Sequence, residues 1–383
     1  MYYNKSMLNK NDKSILDNYL RENVNNKLIS GCSLAVAVGE DVIYNENYGY
    51  CNIEKKYPVT NHTVFRMASN TKIITAVAAL ICQQNGWLNV NDTVDKYIPF
   101  LKDLYVKDLE GNILDKTPYK LKIRQLLNHS SGFWCGQMEA NGLNSIKIED
   151  RNTLEKFVNN FDKFSLVFSP NDNRLGYSTT AYDIVARIIE IVSGLSYEDF
   201  LKKYIFEPLG MKNTTYSFTN VKPENRAISY SSSNGQLVLF DDHDRGYDPF
   251  PAGYPGGGAG ILSTQEDYLK FAIMLTQGGI YHGTRILQPE MMNILLDGTS
   301  LFNPDDGGQV IFGLSVFIRD GANGLLPKGL FGWSGAYGTH YFSIPKYNVT
   351  VVYLHNSMTI GGSGSPIASA IEEKVIKALH LEE

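Results

Sequence analysis

The residues Ser69-Asn70-Thr71-Lys72 place a hydroxyl and an amine three positions apart. On a helix, residues i and i+3 share a face, so the lysine stands one turn beyond the serine, beside its hydroxyl. Two readings fit. In one, Ser69 is an N-cap and Lys72 falls there by chance. Against it, a cation in the first turn opposes the helix dipole at ~0.3–1 kcal/mol, and a capping box calls for Glu or Gln at that place. In the other, the pair is a nucleophile with its activator. A serine hydroxyl is a weak nucleophile and needs an adjacent base. Lysine serves as one when burial or nearby cations lower its pKa. A helix N-terminus adds positive potential and a free N–H for a developing oxyanion.

The same spacing recurs at Ser343-Ile344-Pro345-Lys346, but Pro345 forbids a helix through it and the surrounding alternation is strand-like, so that copy is incidental. No G-x-S-x-G elbow exists: Gly332-Trp333-Ser334-Gly335-Ala336 fails at its last place. His129 is therefore read as a structural loop residue and not as the base of a Ser-His-Asp triad. Asp241-Asp242-His243-Asp244 lacks any paired metal-ligand spacing and reads as a solvated loop, so no metal is expected. Gly256 to Gly260 lacks the Lys-Ser/Thr of a phosphate-binding loop and reads as a backbone-dense turn.

Strand patterns lie at both ends of the chain, with helical material between them. Leu34, Val36 and Val38 alternate, a Gly-Glu-Asp turn follows, and Val42 to Tyr48 alternate again, which predicts a hairpin. Phe65 to Ala79 takes a helical period, with Ile73, Val77, Leu80 and Ile81 on one face and Gly86 as the stop. Ser14 to Asn25 and Ala181 to Ser193 are further helices. Ser263-Thr264-Gln265-Glu266 reads as a capping box opening another. Val310–Ile318, Thr339–Ile344 and Val349–Leu354 read as strands, and Pro366–Leu379 as a last helix. The predicted fold is α/β (α+β): a mainly antiparallel sheet built from residues 1–75 and 255–383, flanked by terminal helices, with residues 76–254 as an inserted, mainly helical domain and the site at their junction.

Three segments, in order, carry a resemblance: Phe65-Arg-Met-Ala-Ser69-Asn-Thr-Lys72, Arg174-Leu-Gly-Tyr177-Ser-Thr179, and Phe331-Gly-Trp333-Ser334-Gly335-Ala336. Leu126-Leu-Asn-His129-Ser-Ser-Gly132, Pro208-Leu-Gly-Met211 and Gly256 to Gly260 match as well. The set resembles the serine β-lactamase and penicillin-binding-protein superfamily, in the branch of class C β-lactamases, D-Ala-D-Ala carboxypeptidases and family VIII carboxylesterases. The resemblance implies that Ser69 is the acylated nucleophile and that Lys72 and Tyr177 share the proton work. It implies an oxyanion hole of the Ser69 and Ala336 N–H groups, and it puts Thr179, Trp333, Ser334 and Gly335 against the substrate. It implies no cofactor.

Two departures matter. The second motif ends in Thr179 where the lactamase branch has asparagine. The third has Trp333 where that branch has a lysine that would bind a substrate carboxylate. An indole offers one N–H and a large apolar face. The expected activity is that of a carboxylesterase with weak or no β-lactam hydrolysis. A β-lactamase, a D-amino-acid peptidase or DD-carboxypeptidase, and a non-enzymatic penicillin-binding or sensing scaffold are the alternatives. The expected partner is a small-molecule ester, amide or β-lactam.

The composition fits this. A hydrophobic fraction of 43% with 24 Tyr and 18 Phe supplies a full core and excludes wholesale disorder. Net charge is −5 with no cluster of cations, which argues against nucleic acid. No apolar run is long enough to span a membrane, and the polar start does not read as a signal peptide, so a cytoplasmic address is expected unless a leader was trimmed. The four cysteines form no C-x-x-C pair and read as reduced thiols.

Overall fold

Strands from the two ends of the chain hydrogen-bond side by side in the computed structural model, which describes residues 8–161, 165–241, 250–305, 307–321, 326–362 and 364–381. Near the start lie β1 (Gly31–Val38), β2 (Asp41–Asn52) and β3 (Tyr57–Pro58). Next come β4 (Val64–Arg66), β5 (Ser229–Ser233), β6 (Gln236–Asp241), β7 (Leu262–Thr264), β8 (Ile280–Tyr281) and β9 (Thr284–Arg285), which pair as β4 with β7, β5 with β6 and β8 with β9. Last come β10 (Thr299–Phe302), β11 (Gln309–Phe312), β12 (Phe317–Ile318), β13 (Phe331–Gly335), β14 (Thr339–Ile344) and β15 (Val349–His355). One nine-stranded antiparallel sheet runs β10-β11-β12-β13-β14-β15-β1-β2-β3. At its centre Cys32 lies opposite His355 and Val36 opposite Val351.

The alternation in β1 decides what covers each face. Leu34 and Val36 join Leu16, Leu20, Ile371 and Val375 in one cluster, beneath the terminal helices Lys10–Asn25 and Pro366–Ala378. Ala35 and Ala37 point the other way, into the larger core with Phe271 and Leu275 of the Gln265–Thr276 helix. All seven residues of β15 are buried, as a strand covered on both faces requires. Full burial of a Leu or Val side chain contributes about 1.5–3 kcal/mol. The fold is thus mixed α/β, with a large antiparallel sheet and flanking helices, as expected.

Four local expectations are corrected. The helix does not begin at Phe65. Phe65 pairs with Ser263 in the β4–β7 ladder, and a separate helix runs from Thr71 to Gln84. The first helix begins at Lys10 and not Ser14, because Asn9 caps it by accepting from the Asn11 and Asp12 N–H groups. The 265–276 helix is capped by Thr264, whose hydroxyl accepts from the Asp267 N–H; Ser263 is in the strand. The run Val310–Ile318 is not one strand. Gly313 N–H bonds back to Val316 O across Ser315 at φ 69°, which separates β11 from β12. Of the Asp241–Asp244 group, residues 242–244 lie outside the described residues. No helix among the described residues is long and apolar enough to cross a membrane.

Candidate active site

Ser69 sits in a single 3-10 turn, Ala68–Asn70, wedged between β4 and the Thr71–Gln84 helix. Ala68 holds φ 46°, in the left-handed region that disfavours residues with a Cβ. The surroundings hold the turn in place. The Thr339 hydroxyl donates to Met67 O at 3.0 Å and accepts from Asn70 Nδ2 at 3.0 Å. The Tyr268 hydroxyl donates to Asn70 O at 2.9 Å. The turn that carries Ser69 is therefore pinned to β14 and to the 265–276 helix before any side chain of the site is considered.

Ser69 is half-buried, so its hydroxyl is reachable, whereas Lys72 is completely buried. Tyr177 OH lies 2.7 Å from Ser69 Oγ, and Lys72 Nζ lies 3.3 Å from it. Nζ also donates to Thr179 Oγ1 at 3.3 Å and to Gly258 O at 2.7 Å. An ammonium has three donors, and these three oxygens, all neutral, match them. The amine stands 4.8 Å from the Tyr177 ring centre and 5.3 Å from that of Tyr182. The Gly-rich loop thus has a use its sequence did not announce. A Cβ at position 258 would fall 2.3 Å from Thr179 O, so only glycine brings this carbonyl against the amine.

β13 forms the opposite wall. A Cβ at Gly335 would fall 2.3 Å from Met67 O, so glycine is what lets this strand lie against the turn that carries Ser69. Trp333 stacks on Tyr177, ring centres 5.8 Å apart, and meets Phe312 edge-on at 5.1 Å. Its buried Nε1 has no hydrogen-bond partner. Ala336 is exposed at the turn after the strand. Ser334 is not brought together with Ser69, Lys72 and Tyr177. Strand alternation turns it to the other face, where its hydroxyl pairs with His340 Nδ1 at 2.8 Å.

A family model described as Beta-lactamase matches residues 16–375. The chain belongs to the beta-lactamase family. Penicillin-binding protein 4* of Bacillus subtilis (strain 168) is 27% identical over 337 residues, which are 85% of this chain and 67% of that protein. Among solved structures, EstCE1, a hydrolase with promiscuous acyltransferase activity, shares the fold with a TM-score of 0.80 at 23% identity, covering 97% of this chain and 100% of its own. The D-amino acid amidase of Ochrobactrum anthropi SV3 does so with a TM-score of 0.72 at 22% identity, covering 97% and 99%. The beta-lactamase family is one of serine hydrolases, within the wider superfamily that includes penicillin-binding proteins.

Three residues support the Ser69 surroundings: His129, read from sequence only as a structural loop residue, and Glu139 and Asp183, which the sequence did not single out. His129, at φ 61° and fully buried, accepts the Ser178 N–H at Nδ1 and lies 4.3 Å, ring centre to ring centre, from Tyr177. Burial, and then the nearby Lys72 charge, hold its pKa well below the usual imidazole value, so it backs the phenol as a neutral ring and does not touch Ser69. Glu139 Oε1 accepts from Thr179 N at 2.8 Å, Thr180 N at 2.7 Å and Thr180 Oγ1 at 2.8 Å. It caps the Thr180–Ser193 helix from a distant segment, since Thr179 itself makes no cap bond, and so fixes where Tyr177 points.

Asp183, the third support, accepts the Gly257 N–H at 2.7 Å and anchors the loop that carries Gly258. Burial pushes its pKa up to about 7, although that N–H pulls the other way. The unfolded value is ~3.9. Between roughly pH 4 and 7 the folded chain therefore keeps a proton that the unfolded chain has released. Stability falls as pH rises through that window, by at most ~1.4 kcal/mol per pH unit. Thermal denaturation from pH 4 to 8 should show this slope reduced in Asp183→Asn, which keeps the acceptor oxygen. An unchanged slope would remove Asp183 as its source.

Proposed function

We propose that the chain is a carboxylesterase that works through an ester of Ser69 and prefers neutral or apolar acyl groups. The observation that carries this is the Ser69 hydroxyl held between Tyr177 OH and Lys72 Nζ. In acylation Ser69 Oγ bonds to the acyl carbon while its proton passes to Tyr177 acting as a phenolate, whose negative charge the Lys72 ammonium offsets, so that Tyr177 becomes the neutral phenol. As the ester C–O bond breaks, Tyr177 returns that proton to the departing oxygen. Water then attacks the acyl carbon, gives its proton along the same path, and Ser69 leaves with it. The N–H groups of Ser69 and Ala336 are proposed to receive the oxyanion.

The wall composition supports the acyl preference. Trp333, Tyr177 and Phe312 form a continuous aromatic surface, and no lysine stands where a carboxylate-binding one would be. Thr179 is engaged with Lys72, so its proposed part in binding is to hold the amine. Wild-type protein assayed with p-nitrophenyl butyrate and with a cephalosporin tests this: the butyrate is expected to turn over at least tenfold faster. Faster cephalosporin hydrolysis would replace the ester reading with a β-lactamase one. Cleavage of D-alanyl amides in preference to both would replace it with a peptidase.

A further inference from the structure

Tyr177 also borders a cavity of about 550 Å³, formed by the 135–139 turn, the 167–177 segment and the turn after β10. Leu109, Met138, Phe168 and Leu175 give it an apolar lining, and Arg174 is its one cation. The arginine is held from both sides. Its backbone is fixed where Leu175 N–H bonds to Phe302 O at 2.8 Å and Gly176 N–H to His129 O at 2.8 Å. Its guanidinium lies 5.1 Å from the Phe168 ring centre. Among the described residues no ion pair engages it, and its buried Nε has no hydrogen-bond partner. Of the two carboxylates that line the cavity, Glu139 is spent on the Thr180–Ser193 helix, and Asp305 makes no ion pair with the arginine.

An unengaged, stacked guanidinium at the edge of an apolar cavity is suited to a planar anion, because its fork matches both oxygens of a carboxylate. The position says which part of the substrate carries it. The group released from the acyl carbon must stand next to the proton donor, Tyr177, and this cavity opens beside that residue. We propose that the cavity receives the departing alcohol and that Arg174 binds a carboxylate on it, so that the substrate is an ester between an apolar acid and a hydroxy acid. This rests on the ester reading above. The reaction is the same one: the ester C–O bond breaks, the departing oxygen takes the Tyr177 proton, and a free hydroxy acid leaves.

The test compares 3-butyryloxybenzoate with its methyl ester, each rate divided by its rate with hydroxide. In the wild type the carboxylate substrate should show a kcat/KM about tenfold higher, mostly through KM, the size expected of a charge-assisted hydrogen bond. In Arg174→Met the ratio should fall to one or below, and Arg174→Lys should keep part of it. Equal rates in the wild type, or a ratio unchanged in Arg174→Met, would overturn the proposal while leaving the esterase reading intact. If neither ester is hydrolysed, the esterase reading fails, and calorimetric titration of the wild type with 3-hydroxybenzoate still decides the cavity. Binding that exceeds that of methyl 3-hydroxybenzoate supports it, and equal or absent binding overturns it.

Discussion

Replacing Ser69 with alanine is expected to lower ester turnover by about 10⁴-fold or more and to abolish any acyl adduct seen by intact-protein mass. Ser69 Oγ is the atom on which the Tyr177 hydroxyl and the Lys72 amine converge. Removing it leaves both proton-handling groups without an atom to act on. The fold should survive, because Nζ keeps Thr179 Oγ1 and Gly258 O, and the turn is held by Thr339 and Tyr268, not by the Ser69 side chain. Unchanged melting with lost turnover is therefore the expected pair of results. Turnover within tenfold of the wild type would end the nucleophile assignment. A wild type that forms a lasting adduct without turnover would instead identify a sensing or binding scaffold.

Tyr177→Phe and Lys72→Ala should each lower kcat by ~10²–10⁴-fold, the usual range for a general acid–base group. The two differ in what else they disturb. Phenylalanine keeps the ring that stacks on Trp333 and His129, so Tyr177→Phe should melt like the wild type. Lys72→Ala empties a fully buried site and leaves Gly258 O without its donor, so it should also melt earlier; an unsatisfied buried acceptor costs ~1–3 kcal/mol. Lys72→Met fills the volume and separates lost packing from lost chemistry. If the two groups act on one proton path, as proposed, the double variant should lose little beyond the worse single one. Wild-type kcat in Tyr177→Phe would remove the phenol from the mechanism.

Side chains with a fixed spacing were legible in the sequence, and contacts made by backbone atoms or across long separations were not. Ser69 and Lys72 announce themselves because three positions make one turn, and they do meet, although the helix starts only at Thr71. The turn before it was missed because Phe65, Met67 and Ala68 extend an apolar helical period, while the partner that makes Phe65 a strand residue, Ser263, is remote in sequence. The sheet was legible from clean alternation in β1 and β14. The single strand expected over 310–318 fails at Ser315, whose positive φ no propensity signals. The Gly258 carbonyl carries no side-chain signature at all. Glu139 looks like any surface glutamate until the fold brings it onto Thr179 and Thr180.

The pairing of β1 with β15 has a consequence for biosynthesis. When β1 leaves the ribosome it can form its hairpin with β2, but its other edge has to wait until residues 349–355 have been made. Through that interval a strand of apolar residues presents unpaired backbone groups, which is the condition under which nascent chains associate wrongly. The terminal helix that covers the sheet arrives later still. Nascent copies shortened before Val349 would therefore keep Ser69 and Lys72 in sequence yet lack the neighbour that closes the middle of the sheet.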